Sequence, residues 1–543
     1  MKKGTKIALI VLGVIVGIGV VLFVGADLML SRFVQREVNK ALTTLPAGEA
    51  SCGSISIRLF SGTAGVSDIR FTYHGQPVNR RDTIGPGVDI YVKHIEVGRL
   101  FYSMLFDKQA LVSDLHISEP RVELWMDEEH PELCFPEFPK DTAAEPFEFP
   151  LKRAELMHFH LHDASFALHS LRTKLDVAAD GLTLHVNHLA YDSTFSYCDS
   201  VYRLALDHAA IMFPDGMMRM ETRDLRHRDQ GEVTIGETRI CNTMPRNKLG
   251  DIVKEPVTWM DMTIGSVTIA PLNPIRKALA QDITISNINA VVDFMDVYRD
   301  ARYEPKHPFP TPQEILLKLP ITFTVKHIDS QIKRIDIAFA STDKNIGKLQ
   351  LGDIKARVDN VSNRRGTKMV VNGGCPIEKG DAKAYMSMTM NKTSDFELKI
   401  QVVGADAGFM NGFVRPLVGI SCELPIDTLR AEYRGDNVKA TGTFCLQYHG
   451  LKIQVHQEDD IPYKIITKNA KLFTALGNSL VPKSNPTSVD IRPRAYEVEW
   501  PRDASKPYPL YMFGPCIDGI KKTFLPGLYV HKEVKEKKAK KSK

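Results

Sequence analysis

Residues Ile7 to Ala26 read IALIVLGVIVGIGVVLFVGA, twenty positions without a charge and with no side chain more polar than glycine. A helix of that length spans about 30 Å, the thickness of a bilayer's hydrocarbon core. Lipid offers the backbone no hydrogen-bond partner, so a self-satisfied helix is the local structure such a stretch can adopt there. Lys2, Lys3 and Lys6 precede it, whereas Asp27 follows and Arg32 and Arg36 come later. The lysines predict a cytoplasmic N-terminus over 1–6, a transmembrane helix over 7–26 and an exported body. Cleavage after Val24-Gly25-Ala26 is the alternative, but the apolar run exceeds the 7–15 residues usual for a signal peptide. From Asp27 to Leu45, Leu30, Phe33, Val34, Val38 and Leu42 recur at helical spacing, which predicts an amphipathic helix ended by Pro46-Ala47-Gly48.

Beyond that point the apolar period drops to two. Ile55, Ile57 and Leu59 alternate with small or polar residues, as do Val88, Ile90 and Val92, and Val122, Leu124 and Met126. The pattern is that of strands with one buried face. A first β region covers 47–130, and proline-rich text over 131–150 reads as a linker. A middle β region follows over 151–303, and a second proline-rich linker over 304–320 holds Pro305, Pro308, Pro310, Pro312 and Pro320. The third region, 321–530, is the most regular. Ala384, Met386, Met388 and Met390 share one face there, and Lys383, Tyr385, Ser387, Thr389 and Asn391 share the other. Short helices are expected over 100–106, 274–282, 313–319, 407–420, 467–481 and 517–524. A loose recurrence of the form strand, Asp or Ser or Gly, strand appears in Met157 to Leu168 and Val325 to Phe339.

Net charge is +5, about what the tail over 531–543 supplies with seven lysines against two glutamates. The body is therefore nearly neutral, which excludes a basic nucleic-acid domain. The tail reads as a disordered end able to touch anionic headgroups. Eight cysteines lie far apart with no C-x-x-C, so neither a zinc ribbon nor a thioredoxin-type site is indicated. Walker, dinucleotide-binding, nucleophile-elbow and H-E-x-x-H motifs are all missing, which removes any specific reason to propose an enzyme. His158, His160 and His162 alternate on one strand, with His169, His185 and His188 close in sequence. Imidazole suits zinc, copper or nickel. Same-face neighbours on one strand stand about 6.5–7 Å apart, too far to share an ion, so the expectation is a polar strand face and no metal.

Four stretches carry a family resemblance. VKHIEVGRLFYSMLFDKQALVSDLHISEPRVELW at 92–125, with Pro120 between its last strands, resembles the opening of AsmA-like envelope proteins of the AsmA, TamB and YhdP type. LPITFTVKHIDSQIKRIDIAF at 319–339 and AGFMNGFVRPLVGISCELPIDTLRAEY at 407–433 resemble the C-terminal region of Bacteroidota-type members. So does VKATGTFCLQYHGLKIQV at 438–455, with Gly442 and its turn from Tyr448 to Lys452. The middle region departs from that pattern.

The resemblance implies a mainly β fold with a few helices: an N-terminal transmembrane helix, then an elongated, curled antiparallel β-sheet of the β-taco or repeating β-groove kind. It implies a single-pass inner-membrane protein whose bulk lies in the periplasm. Such a protein would carry phospholipid or another acyl lipid for outer-membrane biogenesis or envelope homeostasis, with the inner membrane and envelope proteins as partners. Shielding acyl chains saves roughly 0.8 kcal/mol per CH₂. The expected groove wall is Ile335, Ile337, Phe339, Met386, Met388, Met390, Phe396, Leu398, Ile400, Val438, Ala440 and Phe444. No catalytic residue and no cofactor is expected. The competing reading is a non-catalytic envelope scaffold with a closed β core and no lipid.

Overall fold

The structure, a computed structural model, describes residues 27–40, 42, 48–59, 61–77, 84–99, 109–135, 153–192, 201–228, 231–270, 282–319, 322–341, 345–456, 470–529 and 532–533. The chain is mainly β and divides into two compact units, Met1–Ile235 and Gly236–Lys543.

The first unit opens on helix α1 (27–40). Polar contacts dock it: Ser31 Oγ accepts from the Ile57 amide at 2.8 Å, and Asp27 Oδ1 from the Leu59 amide at 3.0 Å. Leu28, Met29 and Phe33 stay exposed, while Leu30, Val34 and Val38 of its apolar stripe are half-buried. Strands β1 (Glu49–Ser51) and β2 (Ile55–Arg58) both pair with β3 (Thr63–His74). The sheet continues through β4 (Gly87–Val97), β5 (Gln109–Met126), β6 (Arg153–Ser170), β7 (Asp176–Asp192), β8 (Val201–Met212), β9 (Met218–Arg228) and β10 (Glu232–Ile235). Neighbours are antiparallel except β5 and β6, which run parallel. A parallel pair needs a crossover rather than a hairpin. The proline-rich text after Met126 supplies it, beginning with a 3-10 turn at Pro131–Cys134.

The second unit repeats this plan. β11 (Thr238–Asn242), β12 (Val257–Ala270) and β13 (Asp282–Asp300) are antiparallel, and helix α2 (Arg246–Val253) lies between the first two strands in sequence. β13 then runs parallel to β14 (Thr322–Ala340). Its crossover holds helix α3 (Pro312–Leu317), started by a capping box in which Thr311 and Glu314 satisfy each other's amides. An antiparallel series follows: β15 (Ile346–Ser362), β16 (Lys368–Ile377), β17 (Gly380–Thr389) and β18 (Phe396–Asp406). After helix α4 (Asn411–Val418) and the short β19 (Ile420–Glu423), β20 (Pro425–Gly435) pairs with β18 and β21 (Lys439–Tyr448) pairs with β20. β22 (Lys452–Val455) forms a separate ribbon with β19, followed by helix α5 (Ala470–Leu480). β23 (Arg494–Pro501) pairs with β21, and helix α6 (Tyr508–Phe524) completes the unit.

The main core of the second unit lies between α6 and one face of β17, β18, β20, β21 and β23. Tyr433 Oη donates to the Met512 carbonyl at 2.7 Å, and Tyr511 Oη to the Asp436 carbonyl at 2.8 Å. Two glycines let the helix approach. A Cβ on Gly519 would stand 2.2 Å from Phe444 Cγ, and one on Gly514 would stand 2.2 Å from Trp500 Cδ1.

Several long strands carry an acidic residue in the left-handed region. Asp68, Asp163 and Asp353 each have φ of 52°, and Glu119 has 47°. Around Asp163 the β6–β7 register shifts between Leu161 and Ala164, a bulge. Asp is among the few non-glycine residues that adopt this conformation readily. The Met157 to Leu168 recurrence therefore marks one bulged strand.

The membrane expectations are corrected. Among the described residues no helix is long and apolar enough to cross a membrane. The stretch expected to do so, 7–26, lies outside them. The single-pass inner-membrane topology with a periplasmic body, the inner membrane as partner, and the phospholipid-carrying role built on that anchor therefore find no support in what is described. The expected sheet is not antiparallel throughout, because each unit contains a parallel strand pair. The helices expected over 100–106 and 274–282, and the tail beyond 533, also lie outside the described residues.

Candidate functional site

A groove of about 1430 Å³ runs across the second unit's sheet. Strand alternation decides which face it uses. Met386, Leu398 and Tyr433 belong to the core beneath α6, so their chain neighbours point the other way. Those neighbours form two continuous rows. Register places Asp329, Arg357, Asn372, Tyr385, Lys399 and Glu432 side by side, with Thr443 at the end. The second row runs Gln331, Lys355, Gly374, Lys383, Gln401 and Arg430, ending at Cys445. Every one of these residues borders the groove. Seven strands at about 4.8 Å make the rows roughly 29 Å long.

The rows differ in electrostatics. In the first, charges pair with each other. Lys399 Nζ lies 2.9 Å from Glu432, and Arg357 lies 3.9 Å from Asp329 and 3.3 Å from Asp359. The Glu432 carboxylate, with Glu397 behind it, holds the Lys399 ammonium above its ordinary range. The Lys399 head stands 5.8 Å over the half-buried Tyr385 ring. The second row has three cations and no acid. Lys383 meets Asp381 at 3.2 Å, an exposed contact. Lys355 and Arg430 have no carboxylate partner among the described residues. Gly374 stands between Lys355 and Lys383 in the register. At the end of the row, burial pushes the Cys445 thiol up to about 11.

The first unit holds a different constellation. Asp114 and His116 on β5 face β6, where parallel register sets His116 beside His160, and His160 in turn sits beside His185 on β7. The His116 and His160 rings stack with centroids 4.4 Å apart and planes 7° apart. His160 Nδ1 and His185 Nδ1 are 2.7 Å apart, a hydrogen bond in which one ring donates. Ligand atoms of Asp114, His116 and His160 all lie within 4.8 Å of one another. Burial, followed by His116 and His185, holds the His160 imidazole below its ordinary range.

The residues singled out in sequence fall as follows. Met388, Met390, Phe396, Leu398, Ala440 and Phe444 are at most 4% exposed, all within the core beneath α6. Met386 and Ile400 pack against that core. Ile335, Ile337 and Phe339 are half-buried on β14, with the Phe339 ring 6.2 Å from Phe413 of α4. Val438 is exposed. Ile400 and Phe444 border the groove from the floor between the two rows. The closed scaffold without a ligand is corrected as well, because the core covers one face of this sheet and the opposite face carries the open groove. Of the six histidines, His160 and His185 come together with His158 nearby, its ring 6.2 Å from that of His160. His169 is held by Glu123 and Asp176 instead, and His188 lies 3.5 Å from Glu155.

Sequence reasoning missed Lys355, Lys383 and Arg430 because single polar residues on an alternating strand read as a solvent face. It missed Asp114 and His116 because ligands from a second strand are invisible until register is known. No family model matches the chain, and no curated protein and no solved structure matches it.

Proposed function

We propose that the second unit binds an extended acidic polysaccharide along its polar groove. The observation that carries this reading is the row Lys355, Lys383, Arg430. The three cations fall on every second strand, β15, β17 and β20, so they repeat at about 9.6 Å. A sugar chain with an anion on every second unit presents charge at a comparable interval. The volume exceeds the roughly 300–1,000 Å³ of a typical small-molecule pocket, which favours a chain over a single ring. The first row adds what a sugar needs: amide and carboxylate partners for hydroxyl groups, and the Tyr385 ring for an apolar sugar face. An acyl chain would strip water from these charges without replacing its hydrogen bonds, at a cost of several kcal/mol.

The test is affinity electrophoresis and titration calorimetry of the full chain with hyaluronate, which carries a carboxylate on every second unit, with polygalacturonate, which carries one on every unit, and with neutral dextran. Acidic chains should bind with affinity that falls as salt rises, and dextran should not. Lys383→Ala and Arg430→Ala should each weaken binding, while Lys506→Ala, away from the groove, should not. Equal retention by dextran, or indifference to both groove substitutions, would refute the proposal.

A further inference from the structure

We propose that Asp114, His116 and His160 in the first unit, with His185 available as a fourth ligand, form a site for a divalent transition-metal ion of the zinc and copper class.

The geometry is that of neighbouring strands. Two side chains directly opposite on paired strands have Cβ atoms about 4.5–5.5 Å apart, a separation two imidazoles can bridge with one ion. Next-neighbours on a single strand, about 6.5–7 Å apart like Asp114 and His116, share an ion only when a donor from the adjacent strand joins them, as His160 does here. β5 contributes a carboxylate and an imidazole, β6 the central imidazole and β7 a further one. The sheet thus gathers groups from residues 114 to 185 onto one patch.

Metal bonds of about 2.0–2.1 Å in a tetrahedral set put donor atoms a little over 3 Å apart. Asp114, His116 and His160 already hold theirs within 4.8 Å. Side-chain rotation supplies the remainder, with the backbone pinned by the ladder on both sides of β6. His185 needs the opposite adjustment. Its nitrogen, 2.7 Å from His160, would exchange that hydrogen bond for a metal bond.

The donor set selects the ion. Imidazole nitrogens with one carboxylate suit zinc, copper and nickel, whereas magnesium and calcium require oxygen-rich shells. His116 is exposed, so an ion can reach the site from solvent. His158 extends the patch: its Nδ1 lies 3.3 Å from Asn187 Oδ1, which holds the ring beside the cluster without joining it.

The test uses untagged full-length protein and the metal ions alone. Titration calorimetry with Zn²⁺ should give one site per chain. With Cu²⁺, paramagnetic resonance should show splitting from more than one imidazole nitrogen. His160→Gln and Asp114→Asn should each weaken Zn²⁺ binding by about tenfold or more. His169→Gln, in a separate histidine and carboxylate contact, should leave it unchanged. Should His160→Gln misfold by circular dichroism, Asp114→Asn decides, since it alters one ligand at constant shape. Unchanged affinity in Asp114→Asn, loss of binding in His169→Gln, or equal competition by Mg²⁺ would overturn the assignment.

Discussion

At the residue scale, the clearest electrostatic commitment is Asp127. Its side chain is fully buried at the end of β5, bridged by the Arg172 guanidinium and accepting the Glu129 amide at 3.0 Å. The Arg172 hydrogen bonds come first in holding its carboxyl below the usual range, and the Glu129 amide adds to them. A carboxyl that is more acidic folded than unfolded contributes stability above its unfolded value, near 3.9, and that contribution is lost as pH falls through the folded value. Acid titration followed by tryptophan fluorescence should therefore show the first unit weakening below about pH 4. Asp127→Asn should be less stable at pH 7 but less sensitive over that acid range. An unaltered acid profile in Asp127→Asn would remove this residue from the account.

Helix α6 sets the scale of an element. Its packing depends on two glycines that bring its backbone against Phe444 and Trp500. Gly519→Val should overpack that seam and lower stability by about 1–3 kcal/mol in urea titration. Phe444→Ala should cost about 3–5 kcal/mol through the cavity it leaves. The same helix shows what local sequence reveals. A helix is legible from Ile517 onward, yet it begins nine residues earlier, at Tyr508. Gly514 and Pro515 read as breakers, but here the sheet buries both and packing overrides propensity. The helix at Ala407 to Ile420 is found as a 3-10 turn and α4, because its apolar spacing agrees with its packing. The parallel pairs were not legible. Period-two alternation is identical for parallel and antiparallel neighbours, and only the length of the proline-rich crossovers hinted at them.

Across the whole molecule, deep burial is uneven. The large cluster from Met369 to Tyr511 belongs to the second unit, joined there by a small one at Tyr298, Ala338 and Ala340. The buried apolar residues of the first unit, such as Val88, Val186 and Tyr202, form no cluster of that size among the described residues. Local opening follows contact density, so hydrogen exchange should find the strongest protection in β18, β20 and β21. The strands of the first unit should exchange sooner, and equal protection across the units would contradict this. The apolar faces were legible as faces. What covers them was not, since alternation tells which residues share a side but not whether a helix such as α6 closes over it. The charge row Lys355, Lys383, Arg430 needed register across five strands, information carried by no single segment.

The left-handed acids within the long strands bear on how such a chain avoids self-association. A ribbon as long as β6, 18 residues, would, if straight and uninterrupted, be a template on which copies could stack into fibrils. A left-handed carboxylate within it breaks the regular pleat, twists the ribbon and places a charge where a stacked neighbour would need a flat, neutral surface. Asp68, Asp163 and Asp353 would then act as gatekeepers. Their replacement by valine would favour a straight strand, and its mark would be insoluble aggregate on concentration rather than loss of any binding event.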